Sequence, residues 1–422
     1  MNIRAVVLLQ VMLATAFFTL SCGGRAEQET VPEDGNITAE AGEVGTSEEP
    51  AEEGLLVWLG EWETRAVDAV QTDEGWLVLV EAMVPRQYAY GQLFHISLGG
   101  NVLWSRDIYG RDLEPSDILA ASDGSFLIAC SDSPTWDDLE MQGMEDMVYT
   151  EDGEAMEVSW DEPSSDFWVS RIDAEGASVW QRDFHRETDS FCCAVMECGG
   201  GDLAFAGTAF EDYAVFRLVR TDPDGNVLWD RDLGTPSGQL AECAMVTSDG
   251  NFLICGQSLE TPPGTGSIIL VKAGGDGREI WTGNYGNGPE DRVNAVAETP
   301  EGSYAFVGSS TGDDGREYAF ITLIDPEGDE LWSRSYDHVE FFDVAVSMNG
   351  GFIVCGGDRA VGLDPSGEEL WIATDNEIEG GRASSAIQID EKSVLLVGYA
   401  YPPEDTEVSS DGPLGYLTVL EF

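Results

Sequence analysis

Acid-rich turns are the first features of the chain that could do chemistry. Asp222-Pro223-Asp224-Gly225, Asp313-Asp314-Gly315 and Asp325-Pro326-Glu327-Gly328 crowd side-chain oxygens into tight turns, and Ca²⁺ takes several carboxylate and carbonyl oxygens. The EF-hand spacing with its terminal Glu is absent. The same residues also suit hairpin turns, where Asp accepts backbone N–H groups and Gly supplies a positive φ. That is the expectation: no metal or cofactor, with calcium as the alternative. Seven cysteines follow Cys22, namely Cys130, Cys192, Cys193, Cys198, Cys243, Cys255 and Cys355. An odd number leaves at least one unpaired, and Cys193 with Cys243 is the pair that a disulfide would join. The three histidines, His95, His185 and His338, are too few for a His-rich zinc site. No nucleophile elbow, phosphate-binding glycine loop or His-Glu-x-x-His motif occurs, so the chain is read as non-catalytic.

These residues sit on a repeat. The same ending recurs from Gly100 to Trp104, Gly176 to Trp180, Gly225 to Trp229, Gly277 to Trp281, Gly328 to Trp332 and Gly367 to Trp371, and Trp58 opens the series. The Trp intervals are 46, 76, 49, 52, 51 and 39 residues, which suits one four-stranded propeller blade per unit. Within each unit lie a short strand such as 67–70 or 294–297, a turn, an apolar strand such as 249–256, and another such as 318–325. The expectation is an all-β fold: a single seven-bladed β-propeller of four-stranded blades over 55–422, with six or eight blades as alternatives. The Trp58 strand would pair with the final strand, 416–420, and so close the ring without free edges. The seven tryptophans, Trp58, Trp104, Trp180, Trp229, Trp281, Trp332 and Trp371, are read as blade packing.

If the short strand is innermost, Asp68, Asp117, Cys193, Cys243, Asn294, Asp343 and Ser385 occupy one level of a central channel. Of these, Asp68, Asp117, Asn294, Asp343 and Ser385 are the candidate binding ring. Such groups either hold a cation or cap neighbouring backbone N–H groups, and capping is expected. The interval of 76 residues contains an insertion, 134–165, with eleven acidic and no basic residues. Its Trp136, Tyr149 and Trp160 would be the contacts if that loop meets a partner.

The Asp-x-x-Gly-x-x-x-Trp pattern, at 173–180, 222–229, 325–332 and 364–371, resembles the blade motif of the pyrroloquinoline-quinone-like propeller repeats. The resemblance implies that Trp docks between blades. It carries no activity over, because that superfamily includes quinone-dependent dehydrogenases and an outer-membrane barrel-assembly lipoprotein. The units here are nearer 50 than 40 residues, and two lack the Asp (98–100 and 274–277).

The N-terminus reads as an address. Arg4 precedes an apolar run from Ala5 to Leu20, too short to span a bilayer and typical of a cleaved signal, 1–21. Leu20-Ser21-Cys22-Gly23 resembles the lipobox of bacterial lipoproteins, which implies lipidation at Cys22. Residues 22–54 combine that Cys with an acidic stretch poor in large apolar residues, expected to be a disordered tether. The chain carries 80 Asp and Glu against 20 Lys and Arg, a net charge of −60, which argues against nucleic-acid partners. The resulting expectation is a monomeric lipoprotein of the bacterial cell envelope, held in the outer membrane or at the cell surface by its lipid. Its propeller binds or scaffolds an envelope protein or a glycan. The alternatives are an accessory factor of outer-membrane protein assembly and a quinone-linked or glycan-active enzyme.

Overall fold

The computed structural model describes residues 55–60, 63–84, 88–108, 112–133, 147–149, 155–157, 165–234, 238–259, 267–286, 291–312, 315–337, 340–375, 378, 380–402 and 412–422. Residues 1–54, and with them the expected signal, Cys22 and tether, lie outside this set. The described chain forms seven four-stranded antiparallel sheets in sequence order, a seven-bladed β-propeller. The first strands of blades one to seven are Glu63–Gln71, Asp112–Ala120, Ser190–Glu197, Gln239–Val246, Arg292–Glu298, Asp343–Val346 and Arg382–Gln388. Each contacts the first strand of the neighbouring blades, so these seven strands form the inner ring. The ring closes as expected. Leu56–Leu59 adds to Leu414–Glu421 as the outer strand of blade seven, pairing Trp58 with Tyr416.

The core is divided. Buried apolar residues form seven clusters, each shared by two adjacent blades. Strand Phe252–Ser258 shows why its sequence is an unbroken apolar run: Phe252 and Ile254 face blade three, while Leu253 and Cys255 face blade five. Both faces of each blade are covered, so alternation of polar and apolar residues disappears.

Tryptophan on glycine locks five of the seven seams. The rings of Trp104, Trp180, Trp229, Trp281 and Trp332 lie on Gly176, Gly225, Gly277, Gly328 and Gly367 of the next blade, where an added Cβ would sit 2.8–3.4 Å from the ring. Each of these glycines has a φ between 74° and 93°. Space and backbone therefore both require glycine. The turn before it is built by the carboxylate: Asp173 Oδ1 accepts the N–H groups of Glu175 and Ala177, and Asp222, Asp325 and Asp364 do the same in their turns. In blade seven the chain ends replace the turn, and Trp371 stacks instead on Phe422, with centroids 3.6 Å apart.

Six of the seven inner strands carry a β-bulge that leaves Val67, Ser116, Cys193, Glu242, Asn294 and Ser384 unopposed. The extra residue bends the strand and brings an inner-strand carbonyl onto the second strand. A Cβ on Gly207, Gly256, Gly308 or Gly398 would collide there with the carbonyl of Phe191, Leu240, Arg292 or Arg382.

Two glycines of like φ separate the contributions. Gly124 has a φ of 86° and open space around it, whereas Gly277 has a φ of 74° and faces Trp229 at 2.8 Å. Gly124→Ala is expected to cost ~1 kcal/mol and Gly277→Ala about 2–4 kcal/mol. Equal losses in chemical denaturation would remove the proposed role of the Trp–Gly contact.

Candidate functional site

The inner ring brings three of the expected acids together. Asp117 and Asp68 hydrogen-bond to one another, Asp68 also bonds Ser385, and Ser385 Oγ donates to Asp343 Oδ2 over 3.2 Å. The chain Asp117–Asp68–Ser385–Asp343 thus runs through blades two, one, seven and six. Its carboxylates also stitch adjacent blades. Asp117 Oδ2 accepts the N–H of Val195 at 2.7 Å, Asp343 Oδ2 accepts that of Ala386 at 2.9 Å, and Asp68 accepts that of Ile118. These are capping bonds to backbone groups on the inner, edge strand of the neighbouring blade.

The remaining ring members differ from the sequence alignment by one position. In register with Asp68, Asp117, Asp343 and Ser385 stand Ala194, Cys243 and Ala295. Cys193 and Asn294 are the bulged residues before Ala194 and Ala295, because in these two blades the small residue on which the strands align is itself the ring member. Asn294 Nδ2 donates to the Phe341 carbonyl of the next blade at 2.7 Å. Cys193 and Cys243 are both free thiols here. Cys193 packs in the seam between blades three and four, and Cys243 in the seam between four and five.

Enclosure by the ring raises the acids. Burial, followed by repulsion from Asp68, keeps Asp117 well above the usual carboxylate range, and two hydrogen-bonded carboxyls need one proton between them. Asp117 and Asp68 share that proton across their hydrogen bond. Burial also raises Asp68 and pushes Asp343 up to about 6. Glu242, unopposed in blade four, is pushed up to about 7 by burial against the pull of Arg292. More than a third of its surface is open to water, which screens that shift.

A second constellation, not anticipated from sequence, lies where the inner strands begin. The Arg65 guanidinium lies 5.3 Å from the Tyr399 ring centroid and 3.8 Å from Glu81. Its buried Nε has no hydrogen-bond partner. Tyr399 is the cross-strand partner of Arg382, which lies 3.9 Å over the Phe342 ring and 3.4 Å from Glu340. Arg292 acts electrostatically on Glu242 and Glu340, and its guanidinium makes no hydrogen bond or ion pair among the described residues. This belt spans blades four to seven and blade one. Its only signal in the sequence is the placement of three scarce arginines at the starts of inner strands, readable once the bulges fix those starts.

The insertion joins the second and third strands of blade two. Trp136 and Trp160 lie outside the described residues. Tyr149 ends the short strand Met147–Tyr149, which pairs with Ala155–Glu157. Asp313 and Asp314 also lie outside them.

Solved structures of similar shape include propellers. The Dos1 propeller aligns with a TM-score of 0.51 at 9% identity, over 87% of this chain and 94% of its own. Puromycin hydrolase aligns at 0.50 and 14% identity over 81% of this chain, which spans about half (52%) of that one. A protein of unknown function from Bacteroides caccae aligns at 0.41 and 18% identity, over 55% of this chain and 79% of its own. At these identities the likeness speaks for the fold alone. No profile of a known protein family matches the chain, and no curated protein sequence does.

The raised acids set a pH dependence. The folded state keeps protons on Asp117, Asp68 and Asp343 at pH values where the unfolded chain has lost them, so stability falls as pH rises from the ordinary carboxylate range through about 6. Asp123 behaves oppositely. Hydrogen bonds from Ser125, with Arg171 alongside, lower it to about 2, so its contribution is lost only as pH falls through the acid range. The thermal midpoint is therefore expected to rise on acidification from about pH 8 to about pH 5. Asp117→Asn, which reproduces the protonated acid, should flatten that rise. A midpoint that climbs with pH across this window, or an unchanged slope in the variant, would refute the assignment.

Proposed function

We propose that the protein is a non-catalytic, lipid-anchored envelope protein whose propeller is a binding head for an envelope protein or a glycan. One observation carries the reading of a binding head. The carboxylates of the inner ring are engaged in joining blades, whereas the belt of Arg65, Arg292 and Arg382 interleaved with Tyr399, Phe342 and Glu340 has donors and ring faces to spare. Arginine beside aromatic rings is the composition of recognition hot spots, and a planar guanidinium pairs with carboxylates or stacks on flat faces. The lipobox-like Leu20 to Gly23 supports an anchor at Cys22, and the acidic 23–54 supports a tether. The Asp-x-x-Gly-x-x-x-Trp turns, with their Trp docked on the following blade, support kinship with the pyrroloquinoline-quinone-like repeats.

Proximity crosslinking in the native envelope, read by mass spectrometry, is expected to recover one dominant protein or glycan. Arg292→Ala and Tyr399→Ala should each weaken its capture by about tenfold. Capture unaffected by both variants would move the binding surface elsewhere. A turnover that copurifies with the protein would replace the proposal with an enzyme.

A further inference from the structure

Blade four differs from the other six in placing cysteine at both positions of one cross-strand pair. Cys243, in register on the inner strand, stands directly opposite Cys255 on the second strand. The equivalent pairs elsewhere are Asp68 with Leu79, Asp117 with Ala129, Ala194 with Ala206, Ala295 with Val307, Asp343 with Cys355 and Ser385 with Val397. Packing does not demand sulfur here, since blade three fills the same two positions with alanine.

The geometry of the pair suits a covalent bond. Residues directly opposite in an antiparallel ladder have Cα atoms about 4.5–5.5 Å apart, inside the range of about 4.4–6.8 Å that a disulfide spans. Both side chains leave the sheet on the face toward blade five, where they join one apolar cluster, and the Cys243 thiol hydrogen-bonds that of Cys255. Access is unequal. Cys243 is half-exposed beside the bulge that carries Glu242, while Cys255 is fully buried.

We infer that Cys243 and Cys255 form an oxidisable dithiol that closes to a disulfide within blade four when it meets a disulfide-bearing oxidant. Cys243, the reachable thiol, loses its proton and attacks one sulfur of the oxidant. The oxidant's S–S bond breaks, and its other sulfur leaves as a thiol carrying that proton. The mixed disulfide on Cys243 is then attacked by the Cys255 sulfur, and the second half of the oxidant leaves with the Cys255 proton. Two electrons and two protons pass from the pair to the oxidant, and nothing of it stays on the protein. The hydrogen bond to Cys255, together with burial, raises the Cys243 thiol well above its ordinary value, so the first attack is slow, and the buried position of Cys255 directs the second attack inward. The bond would tie the inner strand to its neighbour at the bulge that sends Glu242 toward Arg292.

The test exposes the folded full-length protein to 4,4′-dithiodipyridine, a small neutral disulfide. After quenching of free thiols, endoproteinase Asp-N separates Cys243 from Cys255 by cutting before Asp249. The expected product joins the peptide containing Cys243 to the peptide containing Cys255, retains no pyridyl group, and has lost the mass of two hydrogens. Cys255→Ala, which copies Ala206 and Ala129 of blades three and two, is expected instead to keep a pyridyl disulfide on Cys243. Three outcomes would overturn the inference: a pyridyl adduct retained on Cys243 in the wild-type chain, a Cys193–Cys243 link, or no reaction at Cys243 while the protein stays folded.

Discussion

Every part of this propeller depends on closure of the ring by a four-residue strand. Leu56–Leu59 supplies the outer edge of blade seven, and its attachment is reinforced where blade seven meets blade one. Thr64 Oγ1 donates to the Leu59 carbonyl at 2.7 Å and accepts the N–H of Gly415 at 2.8 Å. The N–H of Thr64 reaches the Pro413 carbonyl, and that of Val419 reaches the Leu55 carbonyl. One short segment thereby links the first and last blades, and the apolar cluster between those blades includes Leu59, Ala66 and Leu417. Without closure, that cluster would face water and the C-terminal strand would become an open edge.

Given closure, the inner ring has a geometric problem that its polar residues solve. Seven strands converge on one axis, each the edge of its sheet with backbone groups that no further strand pairs. Asp68, Asp117, Asp343 and Asn294 satisfy such groups or carbonyls across the seams. The cost is a cluster of acids near one another in an already acidic chain, and retained protons relieve it. The ring therefore reads as structural, and the belt at the mouth as the surface with spare recognition capacity.

Much of the fold was legible in the amino-acid sequence, because Trp and Gly occur at fixed spacing for a local reason: the ring of one fills the space that the other leaves. Trp58 without a unit of its own made the closing strand legible too. The register of the inner ring was not. An alignment keyed on the alanine that follows Asp68 and Cys243 lands on Cys193 and Asn294, because in blades three and five the alanine itself holds the ring position, and only Gly207, Gly256, Gly308 and Gly398, inside otherwise apolar strands, mark four of the six bulges. The arginine belt was missed because its members share no motif, only a position that depends on the bulges.

The most direct test of the account is equilibrium unfolding of a chain that begins at Gly60, compared with one that begins at Leu55, followed by amide hydrogen exchange. If closure governs the structure, removal of 55–59 lowers the unfolding midpoint and strips protection from Leu414–Glu421 and from Glu63–Gln71 together. An unchanged midpoint, with both strands still protected, would contradict it.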